Sequence, residues 1–187
     1  MATKVFAKAL MASEDVQSYV RNCRLYANDA ATAVFDGAFV TLGDLDLDGV
    51  YGATSVDYNI HKAALGAAAE GAAQYVIDLA EIDQGTINGN VYKIGVKTAG
   101  LVLPAGENAR ARKLMQGDKF WLGAGNFAGE VAIGDGLVVD SDGLLAAAGD
   151  GETATIKVIA SKTLTQGQNV IAIDSTTYEQ LYLCEVL

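Results

Sequence analysis

Between Gly117 and Ala160 the chain alternates short apolar runs with breaks rich in glycine and aspartate. The runs are Phe120-Trp121-Leu122, Val131-Ala132-Ile133, Leu137-Val138-Val139 and Ile156-Lys157-Val158-Ile159. Each is too short for a helix, and the intervening glycines supply the positive-φ positions that tight turns need. Asp140-Ser141-Asp142-Gly143 falls between two apolar runs and reads as a hairpin turn. The pattern predicts a mainly β protein, a small antiparallel barrel or sandwich with at most two short helices.

The rest of the chain is read against that body. Residues 1–35 form an N-terminal arm, extended or weakly ordered over residues 1–12. Ser13 is placed to cap a short helix, with Glu14 and Asp15 favourably set in its first turn. Val16, Tyr19, Val20 and Cys23 then recur at helical spacing, although a strand from Tyr19 to Tyr26 competes with that reading. The β-rich body spans 36–187. It opens on a turn at Asp36-Gly37 and a strand over Ala38-Phe39-Val40-Thr41-Leu42. An acidic loop (Gly43 to Gly49) and a strand over Val50–Ile60, bent at Gly52, follow. The Ala/Gly-rich stretch 61–73 reads as a flexible connection, a hinge within the body, because Gly66 and Gly71 each weaken a helix.

Further strands are expected over Gln74–Leu79, Asn90–Lys97 after the Asn88-Gly89 turn, Asn169–Ile173 and Leu181–Leu187. Asn108–Met115 is expected to make one helical turn, and Thr163–Gln168 to turn the chain. Phe39, Val40, Phe120, Trp121, Val138, Val158 and Ile171 are the predicted core.

Composition sharpens this picture. Of 187 residues 51% are hydrophobic but only 7% aromatic, so the core must be built from Val, Ile, Leu and Ala. A formal net charge of −10 argues against a nucleic-acid face, which needs clustered Lys and Arg. The one basic cluster, Arg110-Ala111-Arg112-Lys113, reads as a solvated or interface loop. Cys23 and Cys184 lack ligand spacing and read as free thiols of a chain made in a reducing compartment, with a mutual bridge as the alternative. Neither a signal peptide nor a membrane span is apparent.

Candidate chemistry is sparse. Asp44, Asp46 and Asp48, followed by Gly49, match the first half of a calcium loop. The twelfth position, where a bidentate Glu would close the cage, is Ser55, so an acidic turn is the expected reading and calcium the alternative. His61 is the only histidine, and no nucleophile elbow accompanies it. Gly123-Ala124-Gly125-Asn126-Phe127 lacks the third glycine of a dinucleotide loop and the Lys-Ser/Thr of a phosphate loop. The expectation is a protein that is not an enzyme, with no catalytic residues, cofactor or resident metal.

Three segments carry a resemblance. Gly134–Leu144 with Ile156–Ile159 resembles the small barrel of tailed-phage capsid decoration (cement) proteins. Asp36–Leu45 is similar to the opening of structural proteins encoded beside phage major capsid genes, and Gln116–Phe120 is similar to a third segment of those chains. The resemblance implies a decoration protein made in the host bacterial cytoplasm and carried on the capsid exterior of the virion. Its implied partner is the major capsid protein, with a homo-oligomer, a trimer above all, and no role for nucleic acid or membrane. Tail-tube or other tail structural proteins, and host-surface or glycan-binding modules, are the alternatives.

Overall fold

The computed structural model describes residues 4–46, 60–79, 82–87, 90–98, 102–164, 170–171 and 179–187. The protein is mainly β, as the pattern requires. Its helical content among these residues is one four-residue helix, α1 (Ala12–Asp15), and 3-10 turns at Gln17–Tyr19 and Ala124–Asn126.

Two bodies share the chain. The first is a closed barrel of β2 (Val20–Ala27), β5 (Phe39–Leu45), β6 (Ile60–Leu65), β7 (Tyr75–Ile77) and β11 (Ala109–Lys113). Its strand order is β11-β7-β5-β6-β2, and β2 pairs back onto β11 to close the ring. Closure leaves these strands without an exposed edge. All neighbours are antiparallel except β2 and β6, which run parallel. β3 (Ala30–Ala31) extends β2 through a two-residue hairpin whose turn, Asn28-Asp29, takes φ of 50° and 62°. Asn and Asp tolerate that left-handed conformation better than other side chains. A two-stranded pair, β4 (Val34–Phe35) with β10 (Val102–Leu103), adds Val34 to the barrel core.

The second body is a six-stranded sheet. It comprises β1 (Phe6–Leu10), β12 (Lys119–Gly123), β13 (Gly136–Val139), β14 (Leu145–Ala147), β15 (Ile156–Leu164) and β17 (Glu179–Val186), in the order β1-β12-β17-β15-β13-β14. The Asp140–Gly143 turn joins β13 to β14 as expected: Gly143 has φ +70° and its N–H donates to the Asp140 carbonyl at 3.2 Å. The chain's final strand lies in the middle of this sheet. A separate small sheet holds the antiparallel pair β8 (Ile82–Ile87) and β9 (Asn90–Thr98), with β16 (Val170–Ile171) added parallel to β9.

Strand alternation assigns the cores. Inside the barrel lie Cys23, Leu25, Val40, Ala63, Ile77, Ala109 and Ala111, with Val34, Ala38 and Leu79 at its ends. A barrel of so few strands has a narrow bore, and alanine fills much of it. The second core packs Phe6, Phe120, Leu122, Leu137, Leu145, Ile156, Val158 and Cys184 of the sheet, with Met11 just beyond β1, against Phe39 and Val76. Phe39 and Val76 are the immediate neighbours of Val40 and Ile77. β5 and β7 therefore bury one face in each core, and all four residues have no exposed surface.

Several expectations need correction. The N-terminal segment is no free arm: β1 is the edge strand of the six-stranded sheet, paired with β12, and Val5 and Phe6 are buried. The short helix forms at Ala12–Asp15, but Ser13 lies inside it and the residue at its N-cap is Met11. The helical spacing from Val16 to Cys23 yields to the competing strand, β2. The proposed hinge at 61–73 begins with barrel strand β6 and only then loops. Asn108–Met115 holds strand β11 instead of a helical turn. Val131-Ala132-Ile133 makes no strand, and Ile133 is exposed. In the core, Phe39, Val40, Phe120 and Val158 are buried, but Trp121 and Val138 are only half-buried, because Phe120, Leu122 and Leu137 take the inward positions. The side chain of Ile171 lies outside the described residues, as does the strand expected over Val50–Ile60 except for Ile60, the first residue of β6.

Candidate functional site

The acidic motif is split by its strand. β5 runs on to Leu45, so Asp44 is exposed. Asp46 is buried instead, and its Oδ2 accepts from Arg24 Nη1 at 3.1 Å and from Tyr26 Oη at 2.9 Å. Burial pushes the Tyr26 hydroxyl up from its ordinary range, and the bond to Asp46 adds to that. A carboxylate committed to an arginine is a poor calcium ligand, so Asp46 serves the barrel wall. Asp48 lies outside the described residues. Among the described residues no cluster of three His, Cys, Asp or Glu side chains is placed to hold a metal.

His61 sits on β6 and its Nδ1 donates to the Gly43 carbonyl at 2.9 Å, a cross-strand tie between β6 and β5. Cys23 and Cys184 are buried free thiols in different cores, Cys23 in the barrel and Cys184 beneath the sheet. Burial pushes both up to about 12, so neither is a ready nucleophile.

The glycine-rich Gly123–Phe127 stretch is a structural turn. Its Asn126 has no exposed surface; Oδ1 accepts from Val5 N–H at 2.7 Å and Nδ2 donates to the Asp36 carbonyl at 2.8 Å. Asp36, equally buried, accepts from Phe6 N–H through Oδ2 at 2.9 Å and from Leu79 N–H through Oδ1 at 3.0 Å. Four segments far apart in sequence, at Val5–Phe6, Asp36, Leu79 and Asn126, are tied together here by bonds between side chains and the main chain. Gly37 has φ +75°, and a Cβ there would lie 2.6 Å from Asn126 Nδ2 and 3.1 Å from Leu122 Cδ2. The turn read at Asp36-Gly37 is thus the junction of the two bodies.

The basic cluster is the most polarised feature. Arg110 and Arg112 alternate with Ala109 and Ala111, so the alanines face the barrel bore and the arginines face outward. Opposite them on β2 stand Asn22 and Val20. Arg112 is 5% exposed; its Nε lies 2.5 Å from Asp78 Oδ2, and its Nη1 donates to the Ser13 carbonyl and hydroxyl, both at 3.3 Å. Arg110 Nη2 reaches the same Asp78 oxygen at 3.1 Å. What reads as a solvated or interface loop is a strand with one arginine buried in an ion pair and the other half-open. The sequence carries the clue in its i, i+2 arginines, but not the identity of the acid, Asp78, which arrives from the end of β7.

No helix among the described residues is long and apolar enough to cross a membrane. A scan of protein-family models, of curated proteins and of solved structures finds no match to this chain.

Proposed function

We propose that this chain is a structural protein of a tailed-phage virion, which binds the outer face of the major capsid lattice and stabilises the head. The observation that carries the reading is spatial. The three segments that carry the resemblance, Asp36–Leu45, Gln116–Phe120 and Gly134–Leu144 with Ile156–Ile159, are distant in sequence and meet in one core. Phe39 of the first, Phe120 of the second, and Leu137 and Val158 of the third pack together. The Phe39 and Phe120 rings lie 6.2 Å apart, and Phe39 N–H donates to the Gly143 carbonyl at 2.9 Å. Segments of one ancestral fold would behave in this way. The net charge of −10 also suits an outer surface better than a wall facing packaged DNA. Stabilisation follows from mass action, because a partner that binds only the assembled lattice holds it assembled.

The test adds the purified chain to undecorated particles, counting occupancy by electron microscopy and following head disruption by heat. Saturable occupancy in a symmetric pattern, with heads that open at higher temperature, is the expected result; trimeric density is the expected stoichiometry. Absence of binding would end the decoration reading, and spontaneous assembly of the chain into stacked rings would move it to the tail tube. Deleting residues 2–12 is unsuitable as a probe of a clamp, since it removes Phe6 from the core. Leu10, 63% exposed at the end of β1, is the better position: Leu10→Glu should leave folding intact and lower occupancy if that edge meets the lattice.

A further inference from the structure

Where β1, α1, β2 and β11 converge, the surface opens into a cleft of about 530 Å³. Lys8, Arg21, Arg110 and Arg112 line it, with Glu14 as the single carboxylate among its lining residues. Asp78, paired with both Arg110 and Arg112, adds a second negative charge next to it. Four cations therefore meet two carboxylates, in a chain where acids outnumber bases 23 to 13. Concentrating cations against that overall bias costs self-repulsion, which an anion in the cleft would relieve.

The donors are also incompletely used. Arg21, half-buried, donates from Nη1 to the Val20 main-chain carbonyl at 3.3 Å and pairs with no carboxylate among the described residues. Arg110 Nε is buried with no hydrogen-bond partner among the described residues. The Lys8–Glu14 pair, at 3.1 Å, joins a half-buried lysine to an exposed glutamate and contributes little holding force. Guanidinium groups present forked donors that match the oxygens of phosphate and carboxylate. The cleft is within the size range of small-molecule sites.

We propose that this cleft is an oxyanion-binding site, with Arg21 and Arg110 as the principal donors and Arg112, held by Asp78 and Ser13, as the fixed wall behind them. The oxyanion belongs either to a free phosphate compound or to an acidic side chain presented by another protein. The site stands on its own geometry and holds whether or not the chain decorates a capsid.

The experiment titrates the full-length protein with pyrophosphate and, separately, with a tetraglutamate peptide at low ionic strength. Binding is followed by amide shifts of Arg21, Asn22 and Arg110 in NMR spectra. Saturable shifts confined to this cleft, weakening as chloride is raised, are expected. Pyrophosphate as the tighter probe indicates a free phosphate compound; tetraglutamate as the tighter probe indicates a protein side chain. Arg21→Gln should weaken binding by about tenfold, the effect of one charge-assisted hydrogen bond, without changing the melting temperature. Lys157→Gln, at an exposed site on β15, should change neither. Failure of both probes to saturate, or binding that survives Arg21→Gln and Arg110→Gln together, would overturn the assignment.

Discussion

Replacing Asp36 with Asn is the sharpest test of how the two bodies are joined. The side chain has no exposed surface, and its two oxygens each accept a main-chain N–H, from Phe6 and from Leu79. An amide is nearly isosteric with the carboxylate but has one oxygen. Whichever way it turns, its NH₂ group faces one of those donors. The variant thus loses one charge-assisted bond, about 1.5–3 kcal/mol, and strands a buried donor, about 1–3 kcal/mol more. The expected loss is about 2.5–6 kcal/mol, a large part of the roughly 5–15 kcal/mol that holds an ordinary domain folded. Urea denaturation followed by tryptophan fluorescence measures it, with the exposed Asp150→Asn as control, expected within about 0.5 kcal/mol. Asn126→Ala should be similarly costly. The double variant should fall short of the sum, because both residues act on the same junction. A loss below about 1 kcal/mol for Asp36→Asn would refute the argument that this carboxylate joins the bodies.

Three further outcomes follow from the same structure. Gly37→Ala should cost more than Gly71→Ala, although both glycines have positive φ, because only at Gly37 does the new Cβ collide with neighbours; the urea midpoints of the two variants decide it. Trp121→Ala should cost less than the about 3–5 kcal/mol of a buried aromatic, since the ring is half-buried on the outer face with Lys162 Nζ 4.2 Å from its centroid; a loss of that full size would place the ring in the core. The thiols of Cys23 and Cys184 should resist an aromatic disulfide reagent until the protein unfolds. Their folded pKa values, about 12, stand above the ordinary 9.0, so the folded state keeps protons that the unfolded chain releases. That contribution is intact below pH 9 and is lost as pH rises from 9 toward 12; denaturation midpoints that stay level over this range would contradict it.

What the residues disclosed in advance, and what they hid, has a physical basis. Strands with large inward residues were legible: Phe39-Val40, Phe120 and Leu122, Leu137, Ile156 and Val158, and the final strand. So was β7, expected over Gln74–Leu79, but the barrel walls β6 and β11 were not. A bore of few strands admits small side chains, so β6 and β11 face inward with Ala63, Ala109 and Ala111. Alanine gives almost no hydrophobic signal and favours helices, and so Asn108–Met115 resembles a helical turn and residues 61–73 a flexible connection. β2 was obscured for another reason. Arg24 lies buried between Cys23 and Leu25, its charge met by Asp46, and a charge between two apolar residues suggests exposure unless its partner is known. β1 gave little sign because its anchor is Phe6 together with polar partners at positions 36 and 126. The basic cleft was unreadable because its arginines come from strands almost ninety residues apart.

The two-faced strands have a consequence for how this protein can change. Phe39 and Val76 serve one core while Val40 and Ile77, the next residues along, serve the other. Neither body can be excised, duplicated or exchanged for a homologous module without exposing an apolar face of what remains. Variation must therefore enter through loops, such as the turn after α1 or the exposed residues 128–130. Heat should melt the two bodies in a single calorimetric peak. Under mechanical load, force entering at β1 passes through Asp36 into β5 and so into the barrel, and the molecule yields as one piece.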